Sequence, residues 1–212
     1  MTIALFEQTE EAGGPPGALI AAWLSGLFMA PLPIDAVADY CSSGGARLLE
    51  VIGAELGCKP GIDRMRSALT VNVSPTSIAR ELAIAYTLLF DGVAGPGTVS
   101  LYESAYSGTG GRLFQKAAGD MELLLQGFGL SVSEDCCEPP DHLSIELALL
   151  STVLRGNDGD CVASLRDRLL AWVPEFARRC DRVDRSGFYC GAAMVLNDLL
   201  RSPALRDPQC VE

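Results

Sequence analysis

Apolar residues recur at helical spacing along most of this chain, and glycine or proline separates one such segment from the next. Residues 141–154 show the pattern most clearly, because their leucines are spaced by four, three and four residues and so fall on one helix face. These leucines are Leu143, Leu147, Leu150 and Leu154. A sequence built from such segments must pack helix faces against one another.

The sequence also contains residue patterns typical of helix starts, whereas its strand signals are weak. Ser74 followed by Pro75 is a typical start, with serine as the N-cap and proline at the first helical position. Only residues 71–73 and 99–101 have the composition of short strands, and neither has a turn-linked partner. We therefore predict an all-α protein, a single globular bundle of about nine or ten helices.

Length and charge limit the domain organisation and the partners. Residues 1–15 are acidic and rich in glycine and proline, so we predict a loose N-terminal segment, followed by one all-helical domain over residues 16–212. The net charge of -11 would repel nucleic acid and anionic lipid, and would attract a partner that carries arginine or lysine. Solubility alone is the other interpretation of this charge.

The N-terminal part has no pattern typical of export. Its first arginine is Arg47 and its first lysine is Lys59, so the cationic region of a signal peptide is missing. The apolar run over residues 18–33 contains Ser25 and Gly26 and is shorter than the roughly 20 residues that span a bilayer. We predict a cytoplasmic protein without stable membrane insertion, in which this run is a buried helix.

The residue patterns of common enzymes and metal sites are missing. The loop over residues 92–98 has glycines but lacks the lysine of a phosphate-binding loop. The eight cysteines form no C-x-x-C pair, and His142 is the one histidine, so we predict no metal and no cofactor. Asp141 and Glu146 flank His142, which leaves a small nucleotide hydrolase using His142 as an alternative. A protein that is not an enzyme is the favoured interpretation.

Three segments resemble the TorD/DmsD family of redox-enzyme maturation chaperones. Residues 138–142, Glu-Pro-Pro-Asp-His, are similar to the family's E-P-x-D-H signature, which opens a helix. Residues 86–92 and 100–106 resemble its Leu-Phe-x-Gly stretch and its Tyr-Glu-Ser-Val-Tyr-like element. Residues 169–176, followed by Phe188 and Tyr189, resemble its C-terminal tryptophan and aromatic pattern. The segments occur in order between about residues 74 and 200, although the stretch after Phe90 lacks the tryptophan and repeated prolines of some members.

The resemblance implies a chaperone for a molybdopterin-containing oxidoreductase. Such a chaperone binds the twin-arginine signal peptide and the apo form of its client, and holds the client for cofactor insertion before export. An assembly scaffold that binds only the body of a molybdoenzyme is the alternative within the family. We expect a monomer, while a domain-swapped dimer is the alternative because family members exchange segments between protomers.

A twin-arginine signal presents guanidinium groups and an apolar stretch, so its binding site requires carboxylates and an apolar groove. The predicted polar contacts are Glu103, Ser104, Glu138, Asp141 and His142. The predicted apolar contacts are Trp23, Phe28, Tyr86, Leu89, Phe90 and Tyr102. Core packing explains Phe90 equally well, and it is the favoured interpretation for Trp172, Phe176 and Phe188. Whether His142 contacts the peptide or shapes the hinge stays open at this stage.

Overall fold

The computed structural model describes residues 13–71, 74–92, 95–107, 116–133 and 135–205. These ranges contain eleven α-helices and no strand, so the predicted all-α fold is confirmed. The helices are α1 Pro16–Met29, α2 Ile34–Cys41, α3 Ser43–Leu56, α4 Lys59–Thr70, α5 Pro75–Phe90, α6 Ser104–Ser107, α7 Lys116–Gly127, α8 Leu143–Gly156, α9 Gly159–Leu170, α10 Val173–Val183 and α11 Phe188–Arg201. Most of the predicted loose segment, residues 1–12, lies outside the described residues. The same holds for residues 72–73 of one strand-like run and 93–94 of the glycine-rich loop.

Local chemistry sets several helix ends. The Ser74 side chain accepts a hydrogen bond from the Ser77 amide at the start of α5, with Pro75 in the first turn, as the sequence predicts. Asp158 caps α9 in the same way by accepting from the Cys161 amide. α8 ends at Asn157, whose φ of 55° lies in the left-handed region that asparagine tolerates better than most residues.

The helices form two compact units, and neither unit is a continuous stretch of chain. One unit holds α1, α6, α7, α8 and α9 with the turn Pro203–Leu205, and the other holds α2–α5, α10 and α11. The single domain expected for residues 16–212 stays a prediction.

In the first unit, α1 packs along α8. Two buried serines connect these helices: Ser25 donates a hydrogen bond to the Ser144 carbonyl at 2.7 Å, and Ser151 donates to the Ala18 carbonyl at 2.9 Å. Each hydroxyl thus finds an acceptor on the partner helix. Residues 18–29 of the apolar run lie in the buried helix that the sequence predicts, and residues 30–33 follow its end. Among the described residues, no helix combines the length and apolarity needed to cross a bilayer.

In the second unit, α4 and α11 approach each other at two glycines. A Cβ atom placed on Gly191 would lie 2.6 Å from the Gly61 carbonyl oxygen, so only glycine permits this backbone contact. An aromatic cluster fills the core nearby, where the ring centroid of Phe90 lies 5.4 Å from that of Tyr189 and 6.3 Å from that of Phe176. The cluster confirms core packing for Phe176, which is fully buried.

Candidate functional site

The signature segment pairs with the first part of the Tyr-Glu-Ser element. The Glu103 amide donates to the Asp141 carbonyl at 3.0 Å, and the Leu143 amide donates to the Leu101 carbonyl at 2.8 Å. Tyr102 and His142 face each other in this short antiparallel bridge. Two of the three family-like segments therefore form one structure, which we call the signature bridge, made of residues 101–104 and 138–143.

His142 is the N-cap of α8. Its Nδ1 accepts a hydrogen bond from the Ser144 amide at 3.2 Å, so the proton of the neutral ring lies on Nε2. The side chain is only 2 % exposed, and this burial lowers the pKa of His142 to about 4, against the opposing effect of Glu138 and Asp141. The ring therefore stays neutral at pH 7, packs edge-on against Tyr102 and fixes the start of the helix.

Asp141 is fully buried and has a similar structural task. One of its carboxylate oxygens accepts the Ser104 amide at 3.1 Å, at the first residue of the short helix α6. Ser104 is itself buried. The side chain of Asp141 thus caps a helix in the neighbouring segment of the signature bridge, so its role in peptide binding stays a prediction.

Glu138 is the charged residue of the signature that reaches the surface. Its side chain is half-buried, and its Oε2 accepts a hydrogen bond from the Tyr102 hydroxyl at 2.7 Å. None of the ion pairs between described residues involves Glu138. The hydroxyl holds the carboxylate in place without neutralising its charge, which suits an incoming guanidinium group.

Behind the signature bridge lies a buried charged cluster that the sequence did not predict. A guanidinium nitrogen of Arg168 lies 2.5 Å from the Glu103 carboxylate, and the same nitrogen donates to the Ala117 carbonyl at 2.7 Å. The Trp172 indole N–H donates to Glu146 at 3.3 Å. Burial, together with the charge of Glu103, raises the pKa of Glu146 well above its usual value. Glu103 and Glu146 therefore share one cation, since the Arg168 guanidinium also lies 4.0 Å from the Glu146 side chain.

The sequence offers different signals for the two cluster residues Glu146 and Arg168. Glu146 is one turn beyond His142, but its side chain contacts Trp172 and the charged cluster rather than completing an acid–base pair with the histidine. Arg168 directly precedes the family-like segment 169–176 and lies four residues before Trp172, and that position is the one signal that could have singled it out.

The predicted site residues are divided between the two units. The polar contacts and Tyr102 come together in the signature bridge, and α1 of the same unit carries Trp23, half-buried, and Phe28, fully buried. The three remaining apolar contacts, Tyr86, Leu89 and Phe90, belong to α5 of the other unit. All three are buried, which favours the packing interpretation, and their contact with a peptide stays a prediction.

Comparison with known proteins places these residues in a family. A family model described as nitrate reductase delta subunit matches residues 59–178, which is more than half of the chain. The chaperone protein TorD of Ferrimonas balearica is 34% identical over 178 residues, covering 82% of each chain. The chain belongs to the TorD/DmsD family. The TorD chaperone of Vibrio parahaemolyticus is also similar, at 31% identity over 82% of this chain and 86% of its own.

The fold agrees with that of a solved structure. The crystal structure of a proposed redox enzyme maturation protein from Archaeoglobus fulgidus aligns with 92% of this chain and 100% of its own length, with a TM-score of 0.56 and 20% identity. At this identity the likeness concerns the fold alone. The resemblance that the motifs indicate is thus confirmed for the TorD/DmsD family, and the signature bridge is formed by two of those motifs.

Proposed function

We propose that this chain is a cytoplasmic chaperone that binds the twin-arginine signal peptide and the apo form of a molybdopterin-containing oxidoreductase. It holds the client for cofactor insertion before export, and it acts as a binding protein rather than an enzyme. Membership of the TorD/DmsD family supports this role, since the similar relatives are named chaperones. The net charge of -11 also suits a basic peptide as partner.

The half-buried carboxylate of Glu138 is the observation that carries the proposal. It combines a fixed orientation, given by the Tyr102 hydroxyl, with a surface position and no described ion pair. An arginine of the signal can form a charge-assisted, bidentate pair with it, and such pairs are stronger than neutral hydrogen bonds. Asp141 and His142 would act indirectly, because their buried side chains build the bridge that presents Glu138.

Calorimetry with a synthetic twin-arginine signal peptide tests this proposal. We expect Glu138→Gln to weaken binding about tenfold, because a hydrogen bond to a charged group contributes about 1.5–3 kcal/mol and each 1.4 kcal/mol is a factor of ten. Glu55→Gln on α3 is the matched control, since it removes the same charge from an exposed position that forms no described ion pair. Its affinity should equal that of the wild type.

Two outcomes would contradict the proposal. Equal affinity of the Glu138→Gln and wild-type proteins would remove the arginine contact from this position. No binding of the peptide by the wild type, combined with capture of a signal-deleted client, would instead support a scaffold that binds only the body of the enzyme.

A further inference from the structure

The first unit contains an apolar groove between α7, α8 and α9 that none of the family-like segments explains. Its volume is about 190 Å³. The residues that line it are Leu124, Phe128, Leu149, Val153, Cys161, Ser164, Leu165 and Arg168. Leu149, Val153 and Leu165 form a buried floor, whereas Phe128 on one wall is 37% exposed. A large aromatic side chain that is partly open to water beside an apolar floor favours an apolar occupant.

The rims of the groove carry charges of both signs, and one aspartate there forms no ion pair among the described residues. On α9, Asp160 and Asp167 lie four residues before and three residues after Ser164, so both are its neighbours on the helix surface. On α7, Asp120 stands in the same relation to Leu124. Asp120 pairs with Lys116 and Asp167 with Arg166, while Asp160 takes part in none of the ion pairs between described residues. The carboxylate of Asp160 can therefore bind a basic residue that flanks an apolar segment in the groove.

The groove is also linked to the signature bridge by contacts between residues. Arg168 lines the groove and forms an ion pair with Glu103, and the Glu103 amide is bonded to the Asp141 carbonyl. Two contacts within one unit thus connect the groove to the segment that presents Glu138.

We propose that the groove between α7, α8 and α9 binds the apolar stretch of the signal peptide, next to the arginine pair at Glu138. This inference rests on the proposed function and adds the place where the second part of the peptide is held. The occupant is one short apolar segment with flanking basic residues.

The native cysteines allow a footprinting test on the unmodified protein. Cys161 lies in the groove and is half-buried, whereas Cys41 on α2 of the other unit is exposed and serves as an internal control. Alkylation by N-ethylmaleimide, read by peptide mass mapping, is followed with and without a cysteine-free twin-arginine peptide at ten times its Kd. We expect the rate at Cys161 to fall about tenfold, in proportion to the unbound fraction, and the rate at Cys41 to stay constant.

A substitution in the groove gives a second, independent measurement. Phe128→Asp should weaken peptide binding at least about tenfold, because an apolar contact is replaced by a charge. Leu48→Asp on α3 is the control, since Leu48 is 46% exposed and lies in the other unit. Its affinity should match that of the wild type, and thermal unfolding verifies that both variants are folded.

The outcomes separate this inference from the proposed function. If calorimetry shows that the peptide binds while the alkylation rate of Cys161 is unchanged, the groove is not its site and the chaperone function stands. If the peptide does not bind at all, the proposed function itself fails. If Phe128→Asp leaves the peptide affinity unchanged but converts a dimer into a monomer in light scattering, the groove is an interface between copies, which overturns the inference.

Discussion

At the scale of single residues, burial decides what His142 can do. The ordinary pKa of histidine is near 6.5, but the buried ring has a pKa of about 4. The unfolded chain therefore binds a proton that the folded protein excludes between these two values. The resulting contribution to stability is complete above about pH 6.5 and is lost as the pH falls towards 4.

This linkage predicts the effect of His142→Asn. Asparagine is a good N-cap and keeps an acceptor for the Ser144 amide, but it does not titrate. Between pH 7.5 and 4.5 we expect the free energy of unfolding of the wild type to fall by about 2–3 kcal/mol more than that of the variant. Urea denaturation at both pH values measures this difference. Equal losses would show that His142 is not buried as a neutral ring.

Glu146 has the opposite linkage. The pKa of Glu146 is raised in the folded protein. Above about pH 4.5 the unfolded chain releases the proton that the folded protein still holds. The free energy of unfolding therefore falls as the pH rises above about 4.5. Glu146→Gln keeps an acceptor for the Trp172 indole without an ionisable group. We expect its unfolding free energy to decline less than that of the wild type between pH 5 and 8.

The control for this experiment is Glu55→Gln, which removes a carboxylate from an exposed position on α3. Its pH dependence should follow the wild type. A Glu146→Gln variant with the same pH dependence as the wild type would mean that Glu146 is ionised in the folded protein.

At the residue scale the sequence predicts which residues belong to the candidate site better than it predicts their burial and contacts. The signature and the Tyr-Glu-Ser element could be recognised because each is a short run of consecutive residues. Both belong to the candidate site. The pairing of Glu103 with Arg168 could not, because the two residues lie far apart in the chain and meet only after α9 has packed. For the same reason, the burial of Asp141 and His142 follows from tertiary structure rather than from their own polarity.

At the scale of elements, the glycine contact between α4 and α11 gives a direct test of packing. Gly191→Ala would place a methyl group 2.6 Å from the Gly61 carbonyl oxygen, which forces the two backbones apart. We expect a loss of about 1–3 kcal/mol in the free energy of unfolding, the usual cost of overpacking.

Gly119→Ala on α7 is the matched substitution in open space, because no atom outside its own helix backbone and chain neighbours lies within 4 Å of the added Cβ. Here alanine should stabilise the helix by up to about 1 kcal/mol. Opposite signs for the two variants in urea denaturation are the expected result. Equal effects would show that helix propensity, not the close approach, governs Gly191.

Helix positions follow from local rules, whereas helix partners do not. The start of α5 at Ser74 and Pro75 and the apolar face of α8 are both predicted by short-range spacing. Such spacing does not predict the groove between α7, α8 and α9, because Leu124 and Leu149 come to line it only when three separate helices pack together. The short helix α6 also escapes prediction, since its first amide depends on the distant side chain of Asp141.

At the scale of the whole molecule, the two units share one chain that passes between them four times, after residues 29, 100, 172 and 202. Both tryptophans, Trp23 and Trp172, belong to the first unit. Tryptophan fluorescence therefore follows that unit, while circular dichroism at 222 nm follows the helices of both. Because the repeated passages couple the units, we expect coincident urea transitions, as for a single domain. Separate transitions would contradict the single domain predicted for residues 16–212.

Net charge predicts how salt affects the peptide complex. With a charge of -11 and a carboxylate as the proposed arginine contact, raising the salt concentration from 0.05 to 0.5 M should weaken peptide binding severalfold by screening. The Glu138→Gln variant should show a smaller dependence on salt. A wild-type affinity that is independent of salt in calorimetry would assign binding to apolar contacts alone.

The pairing of Tyr102 with His142 has a consequence for how the signature can be used. The five signature residues form only one segment of the signature bridge, and the segment that pairs with them lies about forty residues earlier in the chain. A sequence search with the signature alone therefore detects one segment of a structure that two separate segments build. A short graft of residues 138–142 into another helical scaffold would carry the carboxylate of Glu138 without the hydroxyl that orients it. Transfer of the binding property would require both segments of the signature bridge to be transplanted together.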